Sequence, residues 1–455
     1  MQKRGTIAPL FCINVAPRKE KSYLRKNNVK TTMLKKNNAW LWIPTLYFAS
    51  GLPYHAITSI SDIMYKDMGI GDAEIAMYTS MLLIPWTIKP LWSPIVEMVS
   101  TRRKWTLMSQ LLLVACFAII ALTIPSEHFL LLTIAAFMIG AFVSSTHDIA
   151  LDGFYIIGLP EEKQSFFSGI RNTFYRIATV FSSGFLVLLA SWIKDSTGSK
   201  STAWSATFAT TGIIMLLLYL YHRSAMPRPE KDIARKTEGI AGAFSNYGDI
   251  IRTYFSKPGI IPALLFLLLF RFPEAQLGKM GKLFLMSDVA NGGLGLDIGD
   301  IGFLNGVVGV IGLMLGGIIG GICISRKGLK YWLWPMVIAI SLPDAVYVYM
   351  SMVIPDSITI IGSCIFIEQL GYGFGFTAYT LFMIYFAQGK YPTAHFAIST
   401  AFMSLGMMLP GMFAGEITEW LGYEKFFIWV MACTLITFAV SAIIKIDPNF
   451  GKRQK

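Results

Sequence analysis

Ser93-Pro-Ile-Val-Glu97-Met-Val-Ser100, running into Arg102-Arg103-Lys104-Trp105, has a counterpart in the second half of the chain. There Gly321-Ile-Cys-Ile-Ser325-Arg326-Lys327-Gly328 runs into Lys330-Tyr331-Trp332. Each copy has a small residue, an acid or its substitute four positions on, and then a basic turn. Each lies between two long apolar stretches. A motif repeated in one orientation in such surroundings implies parallel repeats related by an axis along a membrane normal.

A membrane-spanning helix needs about 20 mostly apolar residues. Working outward from the first copy, such spans are predicted at 39–62, 74–97, 106–125, 129–156, 165–190 and 203–221. Around the second copy they fall at 259–284, 299–324, 331–353, 357–387, 393–416 and 424–444. The expectation is an all-α polytopic membrane protein of twelve transmembrane helices in two six-helix bundles. Its parts are a basic tail 1–38, an N-terminal bundle 39–221, a polar linker 222–258 that carries Pro227 and Pro229, a C-terminal bundle 259–445 and a tail 446–455. The apolar run Ile7 to Val15 is short and broken by Pro9, unlike a secretory signal. Met33 offers a second possible start.

Composition agrees. The 455 residues are 54% hydrophobic and only 15% charged, with mean hydropathy +0.55, more apolar surface than one water-soluble core of this length hides. The net charge of +12 does not indicate nucleic acid, because Lys and Arg sit in short clusters between apolar stretches. The N-terminal tail, Arg102-Arg103-Lys104, the linker, Arg326-Lys327-Lys330 and Lys452-Arg453-Lys455 all fall on one side. The positive-inside rule makes that side cytoplasmic, with both termini inside. The opposite loops carry Asp72, Glu127, Asp288, Asp297, Asp300, Asp356 and Glu424. Cys12, Cys116, Cys323, Cys364 and Cys433 show no metal spacing, and neither metal nor cofactor is expected.

The two repeated loops resemble the helix 2 to 3 loop of the major facilitator superfamily, with Glu97 for the usual Asp and Ser325 where an acid is expected. In that superfamily helices 3, 6, 9 and 12 lie outside the cavity. Here spans 3 and 6 and the interior of span 12 lack Asp, Glu, Lys and Arg, and span 9 has one exception, Asp344 after Pro343. Charges stand instead at Lys89 in span 2, Asp148 and Asp152 in span 4, Arg171 and Arg176 in span 5, Arg271, Glu274 and Lys279 in span 7, and Glu368 in span 10. An ionisable group within a span is costly, so it should face a cavity and find a partner.

At roughly 1.5 Å per residue, Asp148, Arg171 and Lys89 share a depth and can meet. Arg271 and Glu274, three apart, can pair within one helix. A carboxylate near the midplane, such as Glu368, needs a partner or a proton. Lys89, His147, Arg171, Tyr175, Arg176, Arg271, Gln369 and Tyr372 are candidate solute-binding residues. Asp148, Glu274 and Glu368 are candidate proton carriers, and Glu97, Arg102, Arg103 and Arg326 a candidate cytoplasmic gate. Bland readings stand beside these. Asp148 and Arg171 also fit a structural pair, His147 an interhelical hydrogen bond, and Lys279 a side chain that snorkels outward.

Further strings resemble the AmpG-type muropeptide permeases of this superfamily. They are Phe48-Ala-Ser-Gly-Leu-Pro53, Lys89-Pro-Leu-Trp-Ser-Pro94, Ser144-Ser-Thr-His-Asp148-Ile-Ala-Leu-Asp152, Leu159-Pro-Glu-Glu162, Tyr175-Arg176, Arg271-Phe-Pro-Glu274 and Phe366-Ile-Glu368-Gln-Leu-Gly371. The resemblance covers 39–445. The chain departs at His147, where the family commonly has Gln, at Met98, which replaces a basic residue, and in ending after twelve spans where well-known members carry two more.

The resemblance implies proton-driven import, across a bacterial inner membrane, of a muropeptide or other amino-sugar solute by a transporter that works by alternating access without covalent chemistry. Its expected partners are the solute, protons and the lipid bilayer, and a monomer is expected. The principal rival is a proton-coupled sugar or oligosaccharide symporter. A non-transporting receptor would need a large soluble module, and a membrane transferase would need His, Asp or Cys clustered at one boundary; the sequence displays neither.

Overall fold

The computed structural model describes residues 38–93, 96, 99–159, 161–230, 232 and 239–452. Its membrane-scale helices are α1 (43–67), α2 (72–91), α3 (Arg102–Thr123), α4 (Phe129–Gly158), α5 (161–197) and α6 (Lys200–Ala225). The second half supplies α7 (Ile260–Met286), α8 (Ile298–Lys327), α9 (Leu329–Val353), α10 (Ile358–Ala387), α11 (Pro392–Leu421) and α12 (Tyr423–Ile443). The ten from α3 to α12 are long and apolar enough to cross a membrane. The first two are more polar or broken: α1 carries Thr45, Ser50, His55, Thr58 and Asp62, and α2 breaks at Leu82–Leu83 and again at Lys89–Leu91. The prolines at 85 and 90 remove backbone donors where α2 breaks.

The linker is more structured than its polar composition suggests. An amphipathic helix, Gly239–Phe255, packs on α11, with the Tyr254 hydroxyl 3.0 Å from Ser399 Oγ. Asp249 accepts bonds from Lys390 and Tyr391, which hold its carboxyl below the ordinary range. At the linker's other end the Asp232 carboxylate accepts from the backbone N–H groups of Arg102 and Arg103, which cap α3 at its positive pole.

One face of the bundle, the terminal face, holds the starts of α1 and α7 and the end of α12. Near the opposite face one apolar core runs through both halves, from Leu52 and Phe137 to Phe284 and Phe427. Near the terminal face the core divides into two, one around Trp42 and Phe154 and the other around Phe266 and Phe382. Helix ends there stand apart between the halves, α4 and α5 from α10 and α11. Among the described residues the halves therefore pack more closely at one face than at the other.

Small residues make the closed end possible, since lipid supplies no hydrophobic drive between helices and close packing must replace it. A Cβ on Gly306 of α8 would stand 2.3 Å from Gly184 Cα of α5, so the two helices cross there backbone to backbone. Both glycines lie in π-helical turns, Phe181–Leu186 and Leu304–Gly309. An ion cluster reinforces this end. Lys279 of α7 donates to both Asp62 oxygens of α1 at 3.0 and 3.2 Å and to Thr79 Oγ1 of α2 at 2.8 Å, and Lys282 Nζ lies 3.7 Å from Asp62. Lys279 thus turns inward and does not snorkel, because a buried carboxylate on the other half is within its reach.

Breaking a buried pair costs about 3–5 kcal/mol, whereas replacing both partners by apolar groups is often neutral. Asp62→Asn should therefore lower the thermal midpoint in detergent and expose the closed face to hydrophilic thiol reagents. Asp62→Asn with Lys279→Met should recover most of the loss.

Candidate functional site

The space between the halves is lined by α1, α2, α4 and α5 on one side and α7, α8 and α10 on the other. The C-terminal half presents its charges at a break in α7. Pro273 cannot donate to the carbonyl of Leu269, so the helix opens at Phe270 and Arg271. Arg271 becomes the N-cap of the second segment and its guanidinium turns inward. It bonds Glu274 Oε2 from Nε and Nη2, both at 2.8 Å, and Tyr372 Oη from Nη2 at 2.6 Å, with the Phe376 ring 4.9 Å away. The predicted pairing of Arg271 with Glu274 is thus present. Glu368, 4% exposed, accepts from Gln369 Nε2 at 2.9 Å.

In the N-terminal half the pairing differs from the depth estimate. Asp148 does not meet Arg171. Its oxygens accept from Ser50 Oγ at 2.6 Å and Trp86 Nε1 at 3.1 Å, with Lys89 in electrostatic range. Arg171 reaches Asp152 Oδ1 at 3.5 Å and Tyr47 Oη at 3.2 Å, between the Tyr47 and Tyr155 rings. Equal depth did not specify which of two carboxylates, one helical turn apart, faces α5.

His147 lies in a hydrogen-bonded chain between helices, with its Nδ1 left without a partner among the described residues. Fully buried, its Nε2 meets Gln110 of α3 at 3.2 Å, and Gln110 Oε1 meets His222 Nδ1 of α6 at 3.1 Å. His222 Nε2 in turn meets Thr45 of α1 at 3.0 Å. This polar chain ties four helices together, the contact that the interhelical reading expects.

Between the two charge clusters stands an aromatic box that the charge count did not reveal. Tyr54 of α1 packs edge-on against Trp86 with centroids 5.0 Å apart and lies 6.3 Å from Tyr175. It is within electrostatic range of Arg271, Asp148 and Glu274, so it bridges the halves. His55 Nε2 meets Thr179 Oγ1 at 2.7 Å beside Tyr175. Arg176 projects toward α8, its Nη2 3.9 Å from where a Cβ on Gly317 would sit.

Of the gate candidates, Glu97 lies outside the described residues. Arg103 bonds the carbonyls of Met226 and Arg223 at the end of α6, Arg102 packs on Gly153 of α4, and Arg326 is exposed. Among the described residues no cluster has the make-up of a metal site.

Two guanidiniums, each with a carboxylate and aromatic faces, border a space open to one side of a membrane. That arrangement suits a polar, ring-bearing solute, and with the fold it defines a membrane transporter. The chain belongs to the major facilitator superfamily, whose family model matches residues 43–413.

Its relatives include the anhydromuropeptide permease of Escherichia coli K12, 25% identical over 86% of this chain and 76% of that protein. A Rickettsia conorii protein that carries the AmpG name is 24% identical over 90% of this chain and 96% of its own length. Among solved structures, a D-xylose-proton symporter superposes with a TM-score of 0.67 at 12% identity, covering 90% of this chain and 98% of that one. The last likeness concerns the fold alone.

The geometry predicts two mild stability effects. Arg171 and Asp152 side chains are 31% and 56% exposed, and such pairs contribute about 0–1 kcal/mol. Arg171→Met should leave thermal stability nearly unchanged while solute affinity falls at least several-fold, by an order-of-magnitude reading of one lost charged contact. Asp148→Asn should cost about 1 kcal/mol, the Trp86 bond. A loss of the size expected for an orphaned buried cation would show that Asp148 also balances a cation, Lys89 or Arg171.

Proposed function

We propose that this transporter is a proton-coupled importer of muropeptides or related amino-sugar solutes in a bacterial inner membrane, with the terminal face cytoplasmic and each monomer a complete unit. The observation that carries the reading is the Arg271–Glu274–Tyr372 cluster with Glu368 beside it. A base that can hold a solute carboxylate or hydroxyl stands next to carboxyl groups able to exchange a proton, across the aromatic box from Asp148 and Arg171. The names of the relatives support the solute class, and the basic loops on the terminal face support the orientation. In this reading Lys89, Arg171, Arg176 and Arg271 engage acidic or hydroxyl groups of the solute. Tyr54, Tyr175 and Tyr372 offer ring faces, Gln369 orients Glu368, and Glu368, Glu274 and Asp148 carry the proton.

A protein that couples solute to proton must pass through states in which its proton carrier is neutral. Glu368→Gln imitates that state, so the variant should fold, bind solute and exchange it across the membrane, and fail only in accumulation driven by a proton gradient. Counterflow beside pH-driven uptake in proteoliposomes, with radiolabelled anhydromuropeptides, free amino sugars and neutral oligosaccharides, measures both points. Full pH-driven accumulation by Glu368→Gln would exclude it as the obligatory carrier. Uptake of neutral oligosaccharides in preference to the rest would move the solute to the sugar-symporter class. For orientation, a reporter fused in the linker near Arg235 should read cytoplasmic.

A further inference from the structure

Asp344 is the one carboxylate in α9. It stands at a break in α9, the 3-10 turn Leu342–Asp344 behind Pro343, and it is 3% exposed. Its Oδ2 is buried without a hydrogen-bond partner. Among the described residues no Lys or Arg stands within ion-pair distance of it or of Glu368. A bare carboxylate so placed costs several kcal/mol, and a structural role supplies no compensation.

Its neighbour is identified by the packing of α9 on α10. The two helices run in opposite directions with almost no space between them. A Cβ on Gly371 would stand 2.1 Å from Ala339 O and 2.7 Å from Pro343 Cγ, and one on Gly375 would stand 2.5 Å from Ile340 Cβ. Residues 368, 371 and 375 share one face of α10 by helical spacing. Moving along that face from Gly375 through Gly371 to Glu368, the opposing residues of α9 advance from Ile340 through Pro343 toward Asp344 and Tyr347. The Glu368 side chain is therefore directed at the break that carries Asp344, and the two carboxyls and Glu274 lie within electrostatic range of one another. Tyr372, one turn beyond Glu368, faces Arg271, so the line runs from cavity to periphery as Glu274, Glu368, Asp344.

The other titratable or charged groups facing this line are Arg271 on α7, which is taken by Glu274, Tyr347 on α9, Cys364, Tyr372 and Tyr379 on α10, and, in range of Tyr372, Tyr54 of α1 and Arg176 of α5. Cys433 on α12 lies beside Gln276 of α7.

We infer that Asp344 and Glu368 form a single proton site in which two carboxyls share one proton, so that the C-terminal half binds its coupling proton on a pair. Two neighbouring carboxylates in a low-dielectric site do not both ionise readily, and such pairs titrate as a unit. When the cavity is open to water, the proton leaves Glu368 by way of Glu274, and both carboxyls are then ionised, a costly state that favours recapture of a proton. No bond other than O–H is made or broken. Asp344 touches no solute and acts through Glu368 as a positioning residue. The inference rests on the coupling role proposed for Glu368.

Asp344→Asn removes one member and leaves Glu368 with Glu274 as its remaining like-charged neighbour. Counterflow should persist, while the pH midpoint of gradient-driven uptake should fall by about one unit, the scale set by one close like charge. Asp344→Glu should retain the wild-type profile. An unchanged profile in Asp344→Asn, with Glu368→Gln inactive in pH-driven uptake, would overturn the pair while keeping Glu368 as carrier. Glu368→Gln active in pH-driven uptake would overturn the carrier itself and the pair with it.

Should Asp344→Asn fail to fold, the wild-type protein decides. A hydrophobic carbodiimide attacks protonated buried carboxyls, so peptide mapping should find both Asp344 and Glu368 modified, with both slowing together as pH rises. Modification of Glu368 alone, or of Asp344 at a rate independent of pH, would overturn the proposal.

Discussion

Lipid offers charge no partner, and most of the architecture between the two halves follows from that constraint. A carboxylate or ammonium in a membrane-scale helix must meet an opposite charge, a hydrogen-bond donor, a proton or water. Asp62 meets Lys279 and Lys282 across the halves, Glu274 meets Arg271 within α7, Asp148 meets Ser50 and Trp86, and Asp152 reaches water beside Arg171. Among the described residues Glu368 has only the Gln369 amide, and Asp344 Oδ2 has no partner. The charges therefore differ in how fully they are satisfied, from Asp62, paired across the halves, to Asp344, whose Oδ2 has no partner.

The backbone is adapted to the same division. Where the halves meet at the closed face, glycines let α5 and α8 cross without side chains between them, and the π-helical turns there give each helix a place to bend. Where α7 must present Arg271, a proline opens the helix and frees the residue to turn inward. Farther toward the terminal face the core divides in two. A rigid-body rocking about the glycine crossing would close that face and open the other, with the Asp62–Lys279 contact as the interaction broken.

Much of this was legible in the sequence. Apolar runs gave helix positions to within several residues, because a bilayer demands a fixed length of apolar chain. The Arg271–Glu274 pair was legible because both residues share one helix, where spacing determines geometry. Pairing between helices was not, since depth gives height along an axis and says nothing of rotation about it. Arg171 accordingly chose Asp152 over Asp148. Asp62 and Lys282 were passed over because they sit near the ends of their spans, where a charge ordinarily reaches water. The linker helix was hidden by a composition that satisfies a loop, and the Gln110–His147–His222 chain by polar residues that look isolated until four helices bring them together.

The central claim is that this molecule works by alternating exposure of the site between Asp148 and Glu274, with the halves moving as bodies. Spin labels at Ile156 of α4 and Gln388 at the end of α10 report the open face, and labels at Ser196 of α5 and Asp297 before α8 report the closed one. Distances measured by pulsed electron resonance in liposomes, with and without solute and a proton gradient, should move in opposite directions, the first shortening as the second lengthens. Distances that stay fixed, or that change at one face alone, would contradict the account.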